Sequence, residues 1–240
     1  GDTTVKNFES QGINTSLISR VAGASGVAPI WVEPNGTNRI ICVPGANNEM
    51  TPEQAQSAVE GLAEIKVVIG QLEIPQEVTI AAFSAARKRG ISTILNPAPF
   101  APLDERLIRV SDWIIPNETE FAGMHPRGLR PDSDSIIKEL SDQLGCRFAV
   151  TLGENGAAYC DNSGTISRVR APKVNAIDTT GAGDAFVGAF AFGLASGLSD
   201  QKAAELGCIC ASDSVTRLGT QSSYPTPDQA KSLLAQVANG

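Results

Sequence analysis

Between Lys66 and Cys160 the chain alternates short apolar runs of strand length with segments of helical character, and this alternation constrains the fold more than any other feature. "KVVIGQLEIP" reads as a strand, and "PQEVTIAAFSAARKRG" as a helix that starts at proline and stops at Gly90 with Arg87, Lys88 and Arg89 in its last turn. "STILNPAPF" as strand, "LDERLIRVS" as short helix, "WIIPNETE" as strand, "SDSIIKELSDQLG" as helix and "FAVTLGENGAAYC" as strand and turn continue the pattern. Buried strands separated by crossover helices predict an α/β, Rossmann-like, three-layer architecture: a mostly parallel central sheet with helices on both faces. Upstream, "TPEQAQSAVEGLAEI" opens with Thr51 as N-cap, Pro52 at the first helical position and Gln54 where a capping box needs it. From Gly26 to Pro44, two β-rich runs around Asn35-Gly36 predict a hairpin.

A length of 240 residues suits one large α/β domain spanning 1–240, and 42% hydrophobic with 19% charged residues is the balance of a globular chain. A net charge of −7 argues against nucleic-acid or anionic-membrane partners and leaves small-molecule chemistry. No run of 18 apolar residues exists to span a membrane, and the sequons at Asn14, Asn35 and Asn117 read as chance matches. The cysteines (Cys42, Cys146, Cys160, Cys208 and Cys210) have neither metal-site nor disulfide-framework spacing, which suits a reducing compartment. Cytoplasm or an organelle matrix or stroma is expected, with an upstream targeting segment left open by the start at Gly1-Asp2. Cys208 and Cys210 read as small buried thiols and not as a zinc site, because His125 is remote.

In open α/β sheets, ligands bind outside the carboxyl ends of the strands. Polar residues cluster at those ends: Glu73, Asn96, Asn117 with Glu120, and Thr151 with Gly153. Each also suits an ordinary cap or turn. The most informative stretch is "NAIDTTGAGDAFVGAFAFG", Asn175 to Gly193. There Val174 to Asp178 ends an extended segment, Gly181 and Gly183 permit a tight turn, and a helix of small apolar residues follows. Backbone N–H groups around Gly181, Ala182, Gly183 and Asp184 would then form an anion hole at a helix N-terminus. Such a hole suits the equatorial oxygens of a phosphoryl group in transfer, with Asp184 placed to accept a hydroxyl proton. The helix terminus is expected to keep Asp184 ionised. Asp178 would hold a cation or brace the loop. Taken alone, GxGD also suits an ordinary turn before a helix-start carboxylate.

The string "DTTGAGDAFVGAF" resembles the C-terminal signature of the ribokinase/PfkB carbohydrate kinase family, and "VVIGQLEIP", "ILNPAP", "PNETE", "VTLGENGA" and "TRLGTQSSYP" follow the order and approximate spacing of its ribokinase branch. The likeness covers essentially the whole chain. It implies a ribokinase-type fold with a small β-hairpin lid at 26–44, and ATP-dependent phosphorylation of the 5-hydroxyl of ribose. Asp184 would be the base, and Gly181, Ala182 and Gly183 the anion hole. Asn117 and Glu120 would act near Mg²⁺ and the triphosphate; Thr151, Gly153 and Gly156 would lie along the nucleotide; Glu73 would contact the sugar. Asp178, the carbonyls of Thr180, Ser214, Arg217 and Gly219 and the hydroxyl of Ser223 match the loops that hold an activating monovalent cation, usually K⁺. Cys208 stands where many relatives carry a histidine or asparagine beside the adenine.

The family's opening strand, with its sugar-gripping Asn and Asp, and its Gly-Gly-Lys-Gly-Ala-Asn segment have no match here. Gly1-Asp2 aligns just after them, so the chain is expected to lack the first few dozen residues and part of the lid, which in the family also forms the homodimer contact. Two function classes follow: a ribose kinase, or another sugar or nucleoside kinase of the family; and a catalytically incompetent, nucleotide-binding truncated isoform. A dehydrogenase is disfavoured because no GxGxxG follows an early strand.

Overall fold

The strands form where apolar side chains can alternate between two buried faces. The computed structural model describes residues 1–32, 38–161 and 163–239. After α1 (Asp2–Ser10), strands β1 (Ile30–Val32) and β2 (Asn38–Ile40) pair antiparallel with Trp31 opposite Arg39, and a bridge between Val27 and Val43 extends the pairing. This is the expected hairpin; its Asn35-Gly36 centre lies outside the described residues.

The main body runs α2 (Pro52–Gly61), β3 (Val67–Gly70), α3 (Gln76–Lys88), β4 (Ser92–Leu95), α4 (Glu105–Val110), β5 (Trp113–Ile114), α5 (Glu118–Met124) and α6 (Asp134–Leu144). It continues with β6 (Arg147–Thr151), β7 (Ala157–Cys160), β8 (Ile166–Val169), α7 (Ala182–Ala195), α8 (Asp200–Ser214) and α9 (Pro227–Asn239). The sheet order is β3-β4-β5-β6-β7-β8; the first three pairings are parallel and the last two antiparallel. Thr51 and Gln54 form the capping box of α2.

Alternation along each strand splits the core into two layers. Ile94, Trp113, Ala149 and Tyr159 face α7 and α8, where Phe190 meets Trp113 edge to face at 5.0 Å. Leu95, Ile114, Phe148 and Val150 face the opposite layer with Phe83, Leu107, Phe121, Ile137 and Leu140. The expected three-layer α/β architecture is therefore observed, with a sheet that turns antiparallel at one edge.

Three local expectations change. The strand expected over "WIIPNETE" contains only Trp113 and Ile114, because Pro116 offers no N–H and Asn117 caps α5 instead. "ISRV" forms β8, which its mixed polarity concealed. Val174 to Asp178 lies outside any strand; the Ile177 amide donates to the Val215 carbonyl at 2.7 Å, tying this segment to the end of α8.

Candidate active site

The turn that opens α7 is built around Gly181, its N-cap, at φ +79°. A side chain there is disfavoured twice, by the left-handed backbone and because a Cβ would lie 2.6 Å from the Tyr224 hydroxyl and 3.1 Å from Thr220 Cγ2. The Ala182 amide folds back onto the Thr179 carbonyl (3.2 Å), and the Ala185 amide onto that of Gly181 (2.9 Å). No side chain caps α7, and among the described residues no acceptor takes the N–H of Gly183 or Asp184. A Cβ on Gly183 would meet nothing within 4 Å. Among the described residues, the amides left for an anion are thus those of Gly181, Gly183 and Asp184; of the four residues expected around the hole, Gly181 also supplies the bend, and Ala182 is internally bonded.

The Asp184 carboxylate sits between two neutral side chains. Gln71, just past the end of β3, donates to its Oδ1 at 3.4 Å, and Tyr224, whose hydroxyl reaches the Gly181 carbonyl at 3.4 Å, is its other neutral neighbour. Burial pushes the carboxyl above its ordinary value while the neighbouring Tyr224 hydroxyl pulls it down. Desolvation is the larger influence on its titration, although the residue keeps an exposed face. Burial, followed by the Asp184 charge, raises Tyr224 to about 12, so its phenol is a donor at neutral pH.

Behind the turn, Asp178 braces two loops. Its Oδ1 accepts the Thr180 amide (2.9 Å) and its Oδ2 the Gly219 amide (3.0 Å), and bonds from Thr180 and then Gly219 hold its carboxyl below the usual range. The Arg217 guanidinium bonds the Ser223 carbonyl (2.6 Å) and pairs with Asp213, while Ser214 and Ser223 are buried. Their hydroxyls donate to the carbonyls of Ala211 and Thr220. Asp178, Thr180, Ser214, Arg217, Gly219 and Ser223 thus belong to one bonded loop pair.

At the parallel strand ends, Asn117 caps α5, accepting the Thr119 and Glu120 amides at 2.9 and 2.8 Å, and the Glu120 carboxylate accepts the Asn117 amide at 2.8 Å. Glu120 is 9% exposed; burial pushes its carboxyl up, the Asn117 amide partly offsets this, and the Asp184 charge adds to the rise. Those two carboxylates therefore share one electrostatic neighbourhood. Thr151 joins them through its amide to the Pro116 carbonyl (3.0 Å) and a bridge to Asn117. Gly153 starts a short 3-10 turn, and Gly156 lets that turn pass β8, where a Cβ would lie 2.0 Å from the Val169 carbonyl. Asn96 is spent on the Ile115 carbonyl. Glu73 is exposed two residues beyond Gln71. Cys208 is a small buried thiol, as expected: it is 3% exposed in the core layer that contains Phe186, and burial pushes its thiol up to about 12.

The sequence profile described as "pfkB family carbohydrate kinase" matches residues 1–227. The chain belongs to that family of carbohydrate kinases. It is 38% identical over 239 residues to the deoxyribokinase of Salmonella typhi, covering 98% of this chain and 78% of that protein. The ribokinase of Thermotoga maritima superimposes with a TM-score of 0.84 at 33% identity, covering 98% of this chain and 77% of that one. The Arabidopsis thaliana ribokinase complexed with ribose and ATP superimposes with a TM-score of 0.76 at 27% identity, covering 89% and 70%. Within this carbohydrate kinase, Gln71 and Tyr224 are the side chains beside Asp184 that sequence reasoning did not assign to the site. Tyr224 lies 40 residues beyond Asp184 in an unremarkable "SSYP" segment, and only folding brings them together.

Proposed function

We propose that this kinase transfers the γ-phosphoryl group of ATP to the 5-hydroxyl of a ribose-type pentose. The observation that carries the reading is the opening of α7, where the amides of Gly181, Gly183 and Asp184, without acceptors among the described residues, and the Asp184 carboxylate share one helix N-terminus. A sugar hydroxyl held against Asp184 gives it a proton as the oxygen attacks the γ-phosphorus, and the bond to the β,γ-bridging oxygen breaks. Charge on the equatorial oxygens then meets the Gly183 and Asp184 amides, which are fixed before the reaction begins.

The residues fit the ions such chemistry uses. Glu120 is a largely buried carboxylate beside a second one, an arrangement that a divalent cation relieves; Asn117 and Glu120 would hold Mg²⁺, in part through water because both already bond each other. Bound there, Mg²⁺ supplies charge neutralisation on the β- and γ-phosphates. The loops around Asp178 offer the all-oxygen set of a K⁺ site that would shape the turn from behind. Ile177 and Leu218, both strongly exposed on these loops, offer an apolar surface for the nucleotide base in place of Cys208. Exposed Val27, Trp31 and Val43 support a homodimer through the hairpin.

The Arabidopsis complex supports ribose, whereas the Salmonella relative favours 2-deoxyribose as a second reading. Sugar-dependent ADP release with ATP, Mg²⁺ and K⁺, measured for both pentoses, separates these by their kcat/KM ratio. ATP binding by calorimetry without release on either pentose or on a nucleoside would leave a nucleotide-binding protein and overturn the kinase assignment.

A further inference from the structure

Strand register brings Gln71 to the reaction centre. Successive side chains of β3 face opposite layers of the core, Val67 packing in the α7 layer and Val68 in the α3 layer. Gly70 faces α3, where a Cβ would lie 2.5 Å from Thr79 Cγ2 and 3.1 Å from Phe83 Cζ, so Ile69 and Gln71 face α7. The backbone on either side of Gln71 is pinned to the end of β4: the Asn96 amide donates to the Gly70 carbonyl at 2.9 Å, and the Leu72 amide to the Ala98 carbonyl at 3.0 Å. The side chain is therefore delivered to the first turn of α7, where its Nε2 stands 3.4 Å from Asp184 Oδ1. Other polar side chains around the site are occupied by the fold: Asn96 by the Ile115 carbonyl, Asn117 and Glu120 by each other, and Asp178 by two loop amides. Gln71 differs, being exposed, and among the described residues its carboxamide has no second partner. A 3.4 Å contact between two exposed groups is at the edge of hydrogen-bonding range, so it fixes neither group and leaves both open to a third polar group.

We propose that Gln71 is a substrate contact: its carboxamide N–H donates to the acceptor hydroxyl of the pentose, the same oxygen that gives its proton to Asp184. The proposal rests on the kinase reading above. An attacking hydroxyl has one proton and two lone pairs. With the proton directed at Asp184 and one lone pair held by the Gln71 amide, the other lone pair is left for the γ-phosphorus, and the oxygen is oriented before it attacks. A neutral donor suits this place. A carboxylate there could not donate, and it would add a third negative charge to the neighbourhood that Asp184 and Glu120 already share. Ribose and 2-deoxyribose carry the same 5-hydroxyl, so the contact serves both pentoses alike.

The test is Gln71→Met, which keeps the length of the side chain and removes the donor. Pentose affinity is measured by titration calorimetry beside sugar-dependent turnover, on ribose and on 2-deoxyribose, with thermal melting as the control for folding. The expected result is a Kd and KM for both pentoses higher by about 2–10-fold, the scale of one neutral hydrogen bond, with ATP affinity within twofold and Tm within a degree, because the exposed side chain has no structural partner to lose. Wild-type pentose affinity in the variant overturns the proposal. So does a lower kcat at unchanged affinity, which would make Gln71 a holder of Asp184, and so does a loss confined to ribose, which would put the contact on the 2-hydroxyl. Gln71→Glu gives an independent readout: the added charge beside Asp184 should move the acid limb of the kcat/KM profile to higher pH, and an unmoved limb counts against the contact. A wild type that binds ATP and pentose without turnover counts against the kinase reading instead, and the affinity comparison then decides the contact by itself; a wild type that binds no pentose overturns the contact.

Discussion

Replacing Gly181 by alanine tests whether the turn is held as tightly as its geometry requires. At φ +79° an alanine costs about 1 kcal/mol more than glycine. Its Cβ would also stand 2.6 Å from the Tyr224 hydroxyl, so the turn or the ring must give way by most of an ångström. Tyr224 is carried by a well-bonded loop, and overpacking of that kind adds roughly 1–2 kcal/mol. The expected destabilisation is about 2–3 kcal/mol, which for a chain of this size lowers Tm by about 5–10 °C. Because the turn carries the Gly183 and Asp184 amides, a shift approaching 1 Å should also lower kcat by on the order of a hundredfold. Thermal melting with the sugar-dependent ADP-release assay measures both. A variant melting within a degree of the wild type and turning over within twofold of it would refute both the strain and the positioning argument.

Gly183→Ala should behave in the opposite way. Its Cβ meets nothing within 4 Å, so the helix gains about 0.5–1 kcal/mol from the better helix former, while the methyl group occupies the space in front of the amides and raises KM for ATP; unaltered ATP binding would show that no phosphate approaches there. Asp184→Asn should melt higher than the wild type at neutral pH. The folded carboxyl lies above its ordinary value, so its contribution to stability is present below about 3.8 and is lost as pH rises through the folded value. The advantage of the amide should therefore fade on acidification through that window, and a lower Tm for the variant at pH 7 would contradict the desolvation argument.

What could be read from the sequence was what local chemistry decides. Thr51 with Gln54, and the glycines at the start of α7, each act within a few residues, and alternating apolar runs announced the two-faced sheet. Asn117 and Glu120 were visible as a pair, but the capping box that joins them competes with the strand expected there, and the box prevails because Pro116 cannot donate to a ladder. Positions set by tertiary packing were not legible. The burial of Cys208 follows its reading as a small buried thiol, but nothing in the local spacing indicates that Ala182 uses its amide internally, or that Tyr224 and Gln71 converge on Asp184 from segments 153 residues apart.

The central claim, that the Gly181–Asp184 turn performs phosphoryl transfer, is tested most directly by following transfer of labelled γ-phosphate to pentose in Asp184→Asn beside the wild type, with ATP binding measured on the same samples. Loss of transfer by about 10²–10⁴-fold with ATP affinity kept within a few-fold is the expected result, the scale of removing a general base. Transfer by Asp184→Asn within a few-fold of the wild type would contradict the account.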